Sequence, residues 1–296
     1  MFDIQSLFTS ITLILSVSPI LTLLALGFLI TAKTGVFNVG TEGITALGAS
    51  VGIIGYFVFG DSIVMGLLSG FIVGIVVGAI IAILTIHLDL DQLVVGFGIW
   101  FATEGLAPVL YFLIVPPFFH IQQSIPSFLN LDVFFYLVLF MFVIYYIIIK
   151  KTRMGLHIST AGENPKAGDV LGINIYKLRW LFTLIGSGLM GLAGAYFSVC
   201  VLGEFYFLMV AGYGWLAMMV VIFGRFNVLS TYLSAIFFSL LIGIQTRMQV
   251  SGFSLIPVQF MIVMPYIGAM IVLIITAMFG KKAGAPKALG KHYKRE

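Results

Sequence analysis

Long apolar runs with almost no charge inside them make up nearly the whole chain. They fall at Leu7–Ile30, Ile44–Phe59, Ser62–Ile86, Gln92–Val115, Val133–Ile149, Leu178–Leu202, Phe205–Gly224, Val228–Thr246 and Pro257–Phe279. A helix needs about 20 apolar residues to cross ~30 Å of hydrocarbon, and most of these runs are near that length. The runs are apolar on every side, whereas the strands of a membrane barrel alternate apolar and polar with period two. Backbone groups in lipid must be paired within their own segment, so the runs are helices. Composition agrees. Only 9% of the 296 residues are charged and 61% are hydrophobic, against roughly 25% charged in soluble domains. So few charges cannot cover a fold in water. The sequence therefore predicts an all-α, polytopic membrane helix bundle of about nine transmembrane helices, forming a single transmembrane domain over residues 1–296.

Lysine and arginine orient the bundle, because short cytoplasmic loops are enriched in both. The loop between Lys150 and Trp180 holds Lys150, Lys151, Arg153, Lys166, Lys177 and Arg179, and the tail after Phe279 holds Lys281, Lys282, Lys287, Lys291, Lys294 and Arg295. Residues 150–177 are thus expected to form a cytoplasmic loop, and residues 280–296 a cytoplasmic tail. Nine crossings then place the N-terminus outside, with Lys33 and Arg225 also inside and Arg247 outside. Met1–Phe8 contains an acid and no base, unlike the positive start of a cleavable signal peptide.

Several chemistries are not encoded. Cys200 is the lone cysteine, so no internal disulfide forms. His87, His120, His157 and His292 lack metal-ligand spacing. There is no Gly-rich phosphate loop ending in Lys-Ser/Thr, and no nucleophile–base pairing. The expectation is no catalytic residue, no metal and no cofactor, so any nucleotide chemistry belongs to a partner.

Function must then lie in polar groups placed at depth. Glu104 sits mid-span in Trp100-Phe-Ala-Thr-Glu104-Gly-Leu-Ala-Pro108. A charge there is costly unless it faces protein or water. It either pins neighbouring helices or lines a path, and Pro108 is expected to kink the helix. Asn38-Val-Gly40-Thr-Glu42-Gly43 is too rich in glycine for a regular helix. It reads as a broken or re-entrant element with Asn38 and Glu42 facing inward, or as an interfacial loop. Tyr213 and Trp215, beside Gly212 and Gly214, either sit in an interfacial aromatic belt or stack on a ring-shaped solute. Glycines at 66, 70, 74 and 78, and from Gly186 to Gly194, allow close helix packing or a sliding surface. The pair Gly35-Val-Phe37…Gly43-Ile-Thr-Ala46 and Gly203-Glu-Phe205…Gly214-Trp-Leu-Ala217 echo each other. Given the orientation above, they suggest an inverted repeat with a solute path at its interface.

The cytoplasmic loop is the most informative stretch. In Gly162-Glu163-Asn164-Pro165-Lys166-Ala167…Gly172, Asn164 is placed to cap a helix, Pro165 suits its first turn and Gly172 its exit. A small rigid helix at the membrane surface is a handle for a partner, or else a folded surface loop.

Asn38-Val-Gly-Thr-Glu42-Gly43, Lys151-Thr-Arg-Met-Gly-Leu-His157, Gly162-Glu-Asn-Pro-Lys-Ala167, Leu171-Gly-Ile-Asn-Ile175, Gly188–Gly194, Phe223-Gly-Arg225 and Met264-Pro-Tyr266 follow one another in that order. Together they resemble the inner-membrane permeases of binding-protein-dependent ABC importers of the simple-sugar and nucleoside type, the branched-chain amino acid/ribose-like permease family. The ending Ala285-Pro-Lys-Ala-Leu-Gly-Lys-His-Tyr293 is similar to that of nucleoside members. The resemblance spans essentially the whole chain and is most specific at Gly162–Ile175. It implies a multi-pass plasma-membrane subunit that moves a nucleoside, with a purine favoured, or a simple sugar. It implies as partners two ABC ATP-binding subunits, a second permease, identical or not, and an extracytoplasmic solute-binding protein, with lipid around it and no nucleic acid. Gly162, Glu163, Asn164, Pro165 and Lys166 would form the ATPase-coupling helix. Family members often begin with one more helix, so this chain looks like the shorter of two paired permeases. The path residues expected from the sequence are Asn38, Glu42, Glu104, Tyr213 and Trp215. An ion-coupled secondary transporter using Glu104 is the competing reading, and it leaves the capped surface helix without a role.

Overall fold

The computed structural model describes residues 18–117, 119–121, 127–128, 131–210, 212–250, 260, 263, 266–268, 270–271, 274, 284–291 and 293. Among them the chain runs through α1 (Ser18–Lys33), α2 (Thr41–Val58), α3 (Ile63–Ala82, extended by a π-helical turn at Ile83–His87), α4 (Gln92–Ile114) and α5 (Val133–Lys151). Two short helices follow, α6 (Arg153–Glu163) and α7 (Pro165–Val170). The second half holds α8 (Ile175–Ala195, extended π-helically over Tyr196–Leu202), α9 (Tyr213–Phe223) and α10 (Val228–Val250). A two-residue ladder pairs β1 (Ser127–Phe128) with β2 (Leu131–Asp132) ahead of α5.

Six of these helices are long and apolar enough to cross a membrane: α2, α3 with its extension, α4, α5, α8 with its extension, and α10 through Thr246. The first expected span is represented by α1, from Ser18 onward. The last, Pro257–Phe279, lies mostly outside the described residues. One expected span is different in kind. Phe205–Gly224 reads as a continuous apolar run, but its helix starts only at Tyr213. Gly203, Leu208 and Gly212 take left-handed backbone angles of φ 72°, 62° and 91°, which a right-handed helix cannot contain. The 11 residues of α9 rise only about 16 Å, so it is a half-helix preceded by an irregular segment. Such backbone is tolerated at membrane depth only inside protein or beside a cavity.

The weak sequence echo corresponds to a structural repeat. α1–α2–α3 and α8–α9–α10 share one plan: a helix, a left-handed glycine (Gly35, φ 94°; Gly203, φ 72°), a non-helical stretch, then two helices joined by a tight turn. Each half packs into the other, with α2 and α3 against α8, and α9 and α10 against α1. The two lead helices run antiparallel. They touch midway at Gly27 and Gly186, while Arg179 near the start of α8 donates from Nε to the Thr34 carbonyl at the end of α1, 3.2 Å away. The repeat is therefore inverted.

Glycine makes this interlock possible. A Cβ at Gly191 would strike the Gly70 carbonyl oxygen, and one at Gly48 would strike the Gly191 carbonyl oxygen. Gly70, Gly74 and Gly78 bring α3 close to the α8 backbone at Gly191, Ser187 and Thr183, while Gly66 meets the Gly52 carbonyl of α2. Phe28, Ile53, Tyr196 and Phe238 fill the fully buried interior. The outer faces of α4 and α5 carry exposed apolar side chains, such as Leu113 and Phe140, which suit lipid.

Candidate functional site

The site lies where the two half-elements meet, and glycine chemistry shapes it first. After α1 the chain turns at Gly35 and crosses to Gly40 without helix. This crossing is held from both sides. The Phe37 amide donates to Gln92 Oε1 on α4 at 2.7 Å. Asn38, 1% exposed, accepts from the Gly40 amide at 3.1 Å and donates to Ser187 Oγ on α8 at 3.2 Å. Asn38 thus faces α8 and serves as the loop's anchor in this conformation.

Glu42 is in the first turn of α2 and is 3% exposed. Its side chain reaches across to the start of α9, where Oε1 accepts from the Gly212 amide at 2.5 Å and Oε2 from the Gly214 amide at 2.6 Å. The first amides of a helix have no intrahelical acceptors, and the positive end of its dipole favours an acid. Glu42 satisfies both needs of α9 with one residue from the other repeat. The fit depends on Gly214, where a Cβ would sit 2.6 Å from the Glu42 backbone and 2.7 Å from Oε2.

Around this tie lies a cluster of aromatic side chains with an acid beside it. Gly43 lets α2 close on α4 at Trp100 and Thr103. Trp100 meets Trp215 edge-on with centroids 5.1 Å apart, stacks on Phe101 at 4.6 Å, and lies near Phe97, which also contacts Trp215 at 5.9 Å. One turn beyond Trp100, half-buried Glu104 stands within electrostatic reach of Glu42. Its Oε2 and the Trp100 indole N–H are both buried without a well-formed hydrogen bond, although the two side chains are neighbours. Tyr213 packs on Phe197 at 5.4 Å, and the Tyr266 hydroxyl lies against Gly212. The structure thus brings Glu42, Glu104, Tyr213 and Trp215 to one region and turns Asn38 toward α8. Trp100 and Tyr266 join the region without having been singled out from sequence. Trp100 was legible as the residue one helical turn from Glu104, and Tyr266 as part of Met264-Pro-Tyr266.

At the other end of the molecule, the small surface helix forms as its residues dictate. Thr152 caps α6 through the Gly155 amide at 3.3 Å, and Asn164 caps α7 through the Ala167 amide at 3.2 Å. Gly172 provides the left-handed exit at φ 79°. Glu163, Pro165 and Lys166 lie at the joint of α6 and α7, while Gly162 is buried against the Lys33 carbonyl. Val170 is 88% exposed and Leu171 76%, a costly display of apolar surface for a loop in water. Beside them opens a crevice of about 370 Å³ lined by Met154, His157, Leu171, Asn174 and Lys177.

Among known proteins, residues 10–278 match the family described as branched-chain amino acid transport system / permease component. The chain is 29% identical over 91% of its length, and 91% of the relative's, to the nucleoside ABC transporter permease NupC of Lactococcus lactis. It is 28% identical to the guanosine ABC transporter permease NupQ of Bacillus subtilis, covering 98% of this chain and 97% of that one. A putative glucose ABC transporter permease of Haloferax volcanii is 28% identical over 81% of this chain and 78% of its own. No solved structure matches the chain.

Proposed function

Because the chain belongs to the family of branched-chain amino acid transport system permease components, a family of ABC transporter membrane subunits, we propose that it imports a nucleoside, with the purine type favoured. The observation that carries this reading is the cluster built around Glu42. Aromatic side chains at Trp100, Trp215 and Phe97 stand beside a carboxylate oxygen of Glu104 that makes no well-formed hydrogen bond among the described residues, with the Trp100 indole as its neighbour. A nucleobase offers a flat π-face and edge N–H donors, and stacking on an aromatic side chain is worth ~1–3 kcal/mol per base. Glu104 accepts from the base edge, the indoles stack on its face, and Tyr213 and Tyr266 border the same space. The relatives named for nucleoside and guanosine transport support this choice.

ATP hydrolysis takes place in two partner ATP-binding subunits. They grip the α6–α7 unit, where exposed Val170 and Leu171 supply apolar contact and Glu163–Lys166 form the capped joint. A second permease completes the path, and an external binding protein delivers the solute. The cytoplasmic face is the one bearing α6, α7 and the basic tail, with the N-terminus on the opposite side. Closure of the ATPases displaces α6–α7, and the inverted halves tilt about the Glu42 tie between α2 and α9.

Native mass spectrometry of the subunit, purified gently from its own membrane, tests this reading. The expected result is a complex containing two ATP-binding subunits, a second permease and a bound molecule of nucleoside mass. A sugar mass would move the cargo to the glucose-type relatives. Isolation without any ATP-binding subunit, together with uptake driven by an ion gradient, would refute the reading.

A further inference from the structure

The chain's ending makes contacts that the importer reading does not require. Between residues 284 and 293 it touches four separate elements. Gly284 lies against the Arg225 carbonyl in the turn between α9 and α10. The Ala288 amide donates to the Gly162 carbonyl on α6 at 2.8 Å, and the Gly290 amide to the Gly35 carbonyl at 3.1 Å. The Tyr176 hydroxyl on α8 donates to the Tyr293 carbonyl at 3.1 Å, with the two rings 5.6 Å apart. Ala288 and Tyr293 are 5% and 6% exposed. We propose that residues 284–293 are a strap that fastens α6 to the loop entering α2, passing movement of the ATPase-facing helices to the Gly35–Gly40 segment, with Arg179 as the positioning residue that holds it down.

Three features of the sequence make sense on this view. Gly162 and Gly35 let the junction close: a Cβ at Gly162 would strike the Lys33 carbonyl and come 3.1 Å from Pro286 Cβ in the strap, and one at Gly35 would come 2.8 Å from Arg179 Nη2 and 3.2 Å from the Ala288 carbonyl oxygen. Arg179 is 3% exposed and donates from Nε to the Thr34 carbonyl and from Nη1 to the Lys291 carbonyl at 3.1 Å. It therefore clips the C-terminal end of α1, where the helix dipole favours a cation, to the strap itself. Only a planar guanidinium spans two carbonyls in fixed geometry; an ammonium is a point donor on a flexible stem. The loop so held is the one whose far end carries Asn38 and leads into Glu42. Gly162 lies in α6 and Gly35 opens that loop, and the strap bonds to both carbonyls through amides only two residues of sequence apart.

The inference rests on the importer reading. Its test uses the whole importer, with its ATP-binding and solute-binding subunits, reconstituted in liposomes and scored as solute moved per ATP hydrolysed. The subunit is compared intact, ending at Ala283, and as full-length Arg179→Lys and Arg179→Gln. The expected result is continued ATP hydrolysis with a ratio lowered roughly tenfold, within the usual range of coupling between sites. The solute KM is unchanged, and a synthetic peptide of residues 284–296 restores the ratio to the truncated form. If the truncated chain fails to assemble, Arg179→Lys decides: a lowered ratio at unchanged KM upholds the strap. A ratio equal to that of the intact complex in the assembled variants would overturn it, as would a lowered ratio in the truncated form that the peptide leaves unrestored. Absence of ATP-dependent uptake by the intact complex would refute the importer reading, and the strap's role with it.

Discussion

Replacing Glu42 removes a side chain that joins the start of α2 in one half to the start of α9 in the other. Its two oxygens serve two amides at 2.5 and 2.6 Å, both at the first turn of α9. Hydrogen bonds to a charged acceptor are worth ~1.5–3 kcal/mol each, and the dipole adds ~0.3–1 kcal/mol. Glu42→Ala would leave both amides buried and unpaired, at about 3–6 kcal/mol. Glu42→Gln keeps one carbonyl acceptor but turns an NH2 donor toward the second amide, so at least one bond is lost, about 2–3 kcal/mol. For a chain of this size that is a fall in Tm on the order of 5 °C. Thermal unfolding in detergent, followed by tryptophan fluorescence, reads it directly, since Trp215 and Trp100 border the tie. Gly214→Ala attacks the same contact from the other side, because its Cβ would overlap Glu42. The two substitutions should be less than additive together, the signature of groups that share one interaction. Strict additivity, or a Glu42→Gln protein as stable as the parent, would refute the tie.

Trp215→Ala should raise the solute KM at least several-fold, since one stacked base is worth ~1–3 kcal/mol; Glu104→Gln should raise it further for donors on the base edge, and equilibrium binding to the purified permease checks both. Val170→Ser with Leu171→Ser should weaken association with the ATP-binding subunits while leaving α7 folded, which co-purification and circular dichroism separate. Replacing Gly162–Pro165 with a flexible run should abolish transport-linked ATP hydrolysis while the bundle still folds. Gly191→Val should prevent folding outright, because its side chain would enter the Gly70 carbonyl; expression as a monodisperse complex would show that the α3–α8 seam can open.

The membrane class and most spans are legible in the sequence because lipid leaves so few alternatives for apolar runs. The cap at Asn164 is legible because capping is local, acting over three residues. The half-helix at Tyr213 is not: Phe205–Gly212 is as apolar as a helix interior, and what breaks it is backbone geometry at Gly203, Leu208 and Gly212. Glu42 is visible as an odd residue in a glycine-rich stretch, but its partners lie 170 and 172 positions away, and no local pattern encodes them. Asn38 reads as inward-facing, and its partner Ser187 on α8 becomes apparent only once the inverted halves interlock. The glycines at 35 and 162 look like turn and packing residues, yet each also makes room for a segment more than a hundred residues later.

The central claim is ATP-driven movement of a nucleoside through this subunit. Its most direct test is uptake of radiolabelled guanosine into liposomes holding the subunit with its ATP-binding subunits, second permease and solute-binding protein, with ATP supplied on the side that bears α6 and α7. The account predicts uptake that requires ATP, survives an uncoupler and is competed by other purine nucleosides. Uptake that proceeds without ATP and collapses with the uncoupler would contradict it.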